Sequence, residues 1–112
     1  MEPKSQDELK KELDTIKLSN PDVRSMIVNL DTDDDTKTAT FFLRKPDKAT
    51  RGIVSSLSSK SKFEQAVTAC LKNLYLGGDD LAILTTNDDA FISAELGVVE
   101  ILKVQAATIK KN

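Results

Sequence analysis

Apolar positions recur along the chain at two spacings, and the changes between them mark out its elements. Leu9, Leu13 and Ile16 fall at helical spacing behind Ser5 and Glu8, the Ser-x-x-Glu pair of a capping box. This predicts a short amphipathic helix over 6–18. Ser19-Asn20-Pro21-Asp22 ends it, because Pro21 lacks an amide hydrogen and restricts Asn20. The period then becomes two. Met26, Val28 and Leu30 alternate within VRSMIVNL (23–30), and Ala39, Phe41 and Leu43 alternate within TATFFLR (38–44). Both runs are rich in β-branched and aromatic residues and predict the two strands of a hairpin.

Helical spacing returns after Pro46-Asp47, where Ala49, Ile53, Val54 and Leu57 form an apolar stripe. Gly52 weakens that helix by ~1 kcal/mol relative to Ala. Five serines between Ser55 and Ser61 predict its end, and Ser61, with Glu64 three residues on, predicts the N-cap of the next. Phe63, Ala66, Val67, Cys70, Leu71 and Leu74 then mark one face of a helix reaching about residue 75, and Gly77-Gly78 reads as its C-terminal cap. Leu81, Ile83 and Leu84 fit either one helical turn or a tuck into the core. Asn87 or Asp88 caps the last helix. Its apolar residues run from Phe91 to Ile109 and cover more than one stripe, so it is either central to a bundle or shared with a second protein.

The predicted fold is α+β and mainly helical. A β-hairpin packs against a small bundle of about three helices, with an N-terminal amphipathic helix over 1–20 and a single hairpin-plus-helices domain over 21–112. The expected core is Phe41, Leu43, Phe63, Val67, Leu71, Leu74, Val98 and Leu102.

Composition narrows the function. The chain has 112 residues, 39% of them apolar and 30% charged, which suits one domain with a modest core. A net charge of −2 argues against a nucleic-acid partner. No run approaches the ~20 apolar residues of a membrane span, so no membrane partner is expected. The polar, acidic N-terminus predicts no secretory signal. The single cysteine, Cys70, leaves no internal disulfide and fits a cytoplasmic protein. Histidine is absent, which removes the commonest general base and transition-metal ligand. Charge is segregated. Arg44, Lys45, Lys48, Arg51, Lys60 and Lys62 stand against Asp47 alone, whereas Asp79, Asp80, Asp88, Asp89, Glu95 and Glu100 occupy a stretch without a base. Such blocks favour attraction within a molecule or self-association.

The candidate chemistry reduces to local structure. Asp31, Asp33 and Asp35 have the spacing of the first calcium ligands of an EF-hand. That loop also needs Gly at its sixth position and Glu at its twelfth, where this chain has Thr36 and Phe42. A turn rich in aspartate is the simpler reading, with weak incidental cation binding as the alternative. Gly77-Gly78 lacks the lysine of a phosphate loop. Cys70 lies on an apolar helix face with no histidine to activate it, and is read as a buried thiol. The basic RKPDKATR stretch (44–51) has no interleaved aromatics and reads as a solvated face. Asp79-Asp80 and Asp88-Asp89 are adjacent in sequence, so their side chains diverge. No enzyme activity, cofactor or metal site is expected.

The order of features is nevertheless distinctive: FFLRKPDKAT closing a hairpin, FEQAVTACLKNLYLGGDD, then a last helix opening NDDAFISAELGVVEIL. Over roughly 38–110 this resembles the small tail assembly chaperones of long-tailed bacteriophages and prophages. Phe42, Arg44 and Pro46, then Gly77, Gly78 and Asp79, carry the resemblance. It implies a non-catalytic cytoplasmic protein of the bacterial host cell that binds and shields the tail tape-measure protein during virion assembly. Phe91, Ile92, Leu96, Val99, Leu102 and Ile109 would then be the partner-binding residues. It also implies a longer form made by frameshifting, for which the Lys110-Lys111 codons are a candidate slippery run. The alternative is a structural or regulatory interaction adaptor from a mobile element, binding another partner through the same helix.

Overall fold

The computed structural model describes residues 2–102. It is an α+β fold, mainly helical, built on a three-stranded antiparallel sheet. In chain order the elements are α1 (Gln6–Ser19), β1 (Arg24–Asn29), β2 (Thr38–Leu43), α2 (Lys48–Ser59), α3 (Phe63–Leu74), β3 (Tyr75–Gly78), α4 (Ile83–Thr86) and α5 (Asp88–Leu102).

β1 and β2 pair in register from Arg24 opposite Leu43 to Asn29 opposite Thr38. Met26, Val28, Ala39, Phe41 and Leu43 therefore share one face, as period two requires. That face is sealed by Val67, Cys70, Leu71 and Leu74 of α3, by Ile83 and Leu84 of α4, and by Ala90, Ala94 and Val98 of α5. The residues of α5 turned to the core are small, and Gly97 sits where an added Cβ would meet Met26 Sδ at 2.7 Å. The helix can thus lie directly on β1.

The expected two-stranded hairpin gains a third strand. Gly77-Gly78 does not cap α3, which ends at Leu74 and passes through Tyr75 straight into β3. Phe41 pairs with Gly78 and Phe42 with Gly77, with a bulge between Phe42 and Leu43. The glycines answer to close approach rather than to helix termination. A Cβ on Gly78, whose φ is +99°, would collide with Thr40 O, and one on Gly77 would meet the Glu12 carboxylate and Ile16 of α1.

α1 covers the other side of the sheet. Leu9 is buried, and Thr40 and Phe42, which point away from the main core, are buried as well. Ser5 accepts the Glu8 N–H as the capping box predicts. Midway along its length α1 is fastened to β3 by Glu12, whose Oε1 accepts the Gly78 N–H at 2.9 Å.

Three further expectations change. Ser61 is not the N-cap of α3. It has φ +59° and completes the end of α2, where Ser61 N donates to Ser58 O and Lys62 N to Leu57 O. That is a Schellman closure with serine in the place usually taken by glycine. The inward line of α2 is Thr50, Val54 and Leu57, with Ala49 and Ile53 exposed, so the stripe is turned by about one residue. Phe63 is 61% exposed, because the core begins one turn later at Ala66 and Val67. Leu102 is only half-buried, while Phe41, Leu43, Val67, Leu71, Leu74 and Val98 are in the core.

Candidate functional site

α5 has two apolar faces with different fates. Asn87 starts the helix: its Oδ1 accepts the Ala90 N–H at 2.9 Å, and its Nδ2 donates to Leu30 O at 3.0 Å. Two more bonds fix the first turns to the β1–β2 hairpin. Asn29 N donates to Ser93 Oγ at 3.1 Å, and Thr32 N to Asp89 Oδ2 at 3.1 Å. The helix is therefore held in rotation as well as in place. Ala90, Ala94 and Val98 are directed inward, and Ile92, Leu96 and Val99 are left facing out at 59, 68 and 67% exposure.

Of the six partner-binding candidates, these three form a continuous outward line. Phe91 and Leu102 stand half-buried at its border, and Ile109 lies outside the described residues, as do Lys103, Lys110 and Lys111. Phe91 belongs to the apolar run of α5, and its surroundings depend on tertiary structure. With Leu71, Leu81, Leu84 and Thr85 it lines a largely apolar cavity of about 200 Å³. A second depression shares Leu84, Thr85 and Phe91 and continues to Ile92 and Glu95, so the cavity opens toward the outward line. The segment 81–84, ambiguous in sequence, supplies the cavity's far wall.

The six motif residues come together for structural reasons. Phe42 is buried beneath α1 and pairs with Gly77. Arg44 extends the same junction: its backbone N donates to Leu74 O at 2.8 Å, its Nε to Asn73 O at 3.0 Å, and its guanidinium pairs with Asp47 at 2.8 Å. Thr50, ahead of Arg44, holds the Asp47 carboxyl well below the usual carboxylate range. Pro46 is buried beside this pair. Asp79 is 1% exposed, and its carboxylate accepts the Thr40 N–H at 2.7 Å and the Lys4 N–H at 2.6 Å.

The hairpin aspartates fold upon themselves. Asp31 Oδ1 accepts the Asp33 N–H at 2.9 Å, and Asp34 Oδ1 accepts both the Thr36 N–H and the Thr36 hydroxyl. Lys37 approaches Asp31 at 3.9 Å. The Thr36 hydroxyl bond, then its amide bond, lowers the pKa of Asp34. These are Asx turns that carry the chain from β1 to β2. Among the described residues no group of three or more cysteines or carboxylates is disposed to hold a metal ion. Cys70 is fully buried, and burial pushes its thiol pKa up, away from the thiolate a nucleophile requires. No described helix is long and apolar enough to cross a membrane. Comparison with protein-family models, with curated proteins and with solved structures gave no match.

Proposed function

We propose that the chain is a non-catalytic tail assembly chaperone of a long-tailed phage or prophage. It acts in the bacterial cytoplasm, binding the tape-measure protein and covering its apolar helical surface during tail assembly. The observation that carries this reading is the outward line of Ile92, Leu96 and Val99. Three large aliphatic side chains at i, i+4 and i+7 are the pattern by which one helix reads another. They stand on a helix held to the hairpin by side-chain bonds, so the face is presented rigidly at little entropic cost. The resemblance of the FFLRKP and GGD motifs supplies the identity of the partner.

The test is a read of the coding region that follows this chain, then co-expression of the full chain with the long helical protein that the reading expects there, with purification through either partner. Wild type should co-purify with the long protein. Leu96→Asp with Val99→Asp should weaken the complex by at least about tenfold, as loss of central interface anchors does. If wild type retains no long helical partner, or the double variant binds as well as wild type, the reading is wrong.

A further inference from the structure

The outward face of α5 is apolar along its centre and acidic along both borders. At 3.6 residues per turn, Asp88 and Glu95 run beside the Ile92–Leu96–Val99 line on one side, and Asp89 and Glu100 on the other. The stretch from Asp79 to Leu102 contributes no lysine or arginine to the face, and the one base beside its acids is Arg24 of β1, which shares a depression with Glu100. Near the N-terminal end of the line, Phe91, Leu84 and Thr85 open into the cavity described above.

We infer that the segment seated on this face is an amphipathic helix whose apolar stripe is bordered by lysine or arginine, and that it lodges one large apolar side chain in the cavity beside Phe91. The inference rests on the chaperone reading and specifies the chemistry of its partner. The line from Ile92 to Val99 rises roughly 10 Å, so about two turns of a partner helix cover it. Charged residues on such a helix would meet the α5 acids at the rim, where they set orientation and selectivity more than affinity. Leu71, Leu81, Ala82, Leu84 and Phe91 make up most of the cavity lining, so the side chain lodged there is apolar. At about 200 Å³ the cavity falls below the roughly 300–1,000 Å³ of small-molecule sites and suits a side chain better than a free ligand.

The same borders argue against other occupants. A second copy presenting its own α5 would bring acids against acids. Anionic lipid and nucleic acid would be repelled in the same way.

The test uses two synthetic helical peptides with an identical Leu/Ile stripe, one bordered by Lys and Arg and the other by Glu, titrated against the full chain by fluorescence anisotropy. The cationic peptide should bind roughly tenfold tighter at low salt. That margin should shrink at about 0.5 M salt, where screening acts over only a few ångström. Glu95→Lys with Glu100→Lys should reverse the preference, and Thr85→Trp, at an exposed position on the cavity lining, should weaken the cationic peptide while the chain stays folded by circular dichroism. Equal binding of both peptides would overturn the charge frame yet leave a helix-binding face. Binding of neither would overturn the inference, while the chaperone reading would stand or fall on the co-purification test. Unchanged affinity in the Thr85→Trp variant would remove the cavity from the interface.

Discussion

Thr40 and Asp79 are joined by two hydrogen bonds in opposite directions. The Thr40 N–H donates to the Asp79 carboxylate at 2.7 Å, and the Asp79 N–H donates to Thr40 O at 2.7 Å. A side chain thereby takes the place of the next strand residue and continues the β2–β3 ladder past its end. The other carboxylate oxygen accepts the Lys4 N–H, so one buried residue ties together β2, β3 and the approach to α1.

Asp79→Asn should therefore destabilise the fold. An amide has one acceptor oxygen where the carboxylate offers two, and its NH₂ would face a backbone N–H. The expected loss is about 1–3 kcal/mol, the cost of leaving a buried donor unpaired. Urea unfolding measures it directly. A midpoint equal to wild type would mean that the carboxylate is not bonded as described.

The two glycines of β3 should respond unequally. Gly78→Ala forces a Cβ onto the backbone of β2 at φ +99° and should cost about 1–3 kcal/mol. Gly77→Ala mainly displaces the Glu12 carboxylate, the movable end of a side chain, and should cost less. Thermal melts of the two variants give the order. The reverse order would be inconsistent with the β2–β3 register.

The sequence made this strand hard to see. Tyr75-Leu76-Gly77-Gly78 is too short for period two to show, and a glycine pair after a helix has the usual appearance of a cap. Only the strand opposite, Thr38–Leu43, explains why glycine is needed there, and that contact is not local. Ser61 failed for a related reason: the Ser-x-x-Glu spacing was present, but the backbone bonds ending α2 placed the serine in a left-handed conformation. The strong periodicities transferred well. Period two correctly placed Met26, Val28, Ala39, Phe41 and Leu43, and the α3 stripe was correct from Ala66 onward. In α5 the sequence showed apolar residues on all sides but not which would face out. The small residues Ala90, Ala94 and Gly97 were the unused signal, since a helix lying close on a sheet turns its smallest side chains inward.

The α3 packing can be tested by contrast. Leu71 is 2% exposed and Phe63 is 61% exposed, although both lie on the stripe read from sequence. Leu71→Ala should cost about 2–5 kcal/mol, as truncation of a buried leucine does. Phe63→Ala should stay within about 0.5 kcal/mol, as exposed substitutions do. Chemical denaturation of both variants separates the two; equal losses would place Phe63 in the core after all.

The α1 clasp should make stability depend on pH. Burial opposes the charge on Glu12, but the Gly78 N–H and the Lys4 ammonium outweigh it and hold the carboxyl below its ordinary value of 4.5. A lowered folded-state pKa contributes stability that is full above the unfolded value and is lost as pH falls through the folded one. Lys4, raised above 10.5 chiefly by its bond to Glu12, contributes in the opposite sense: fully below its unfolded value, and lost as pH rises through the raised one. Glu12→Gln should therefore flatten both limbs of the stability profile while leaving the neutral plateau lower. Urea midpoints across the acid and alkaline ranges test this, and an acid limb as steep as wild type would assign that dependence elsewhere, with Asp47 the next candidate.

The outward line of α5 should behave as surface in the isolated chain and as interface only with a partner. Ile92, Leu96 and Val99 are each more than half exposed, so replacing all three by serine removes little buried area. The melting temperature should stay close to that of wild type, since each exposed substitution is worth within about 0.5 kcal/mol. Binding of a hydrophobic dye should fall, because the replaced side chains form a connected apolar strip rather than isolated exposed residues. A large drop in melting temperature would show that the line is already packed within the molecule or against a second copy. The helix would then be a core element, with no apolar face left to offer a partner.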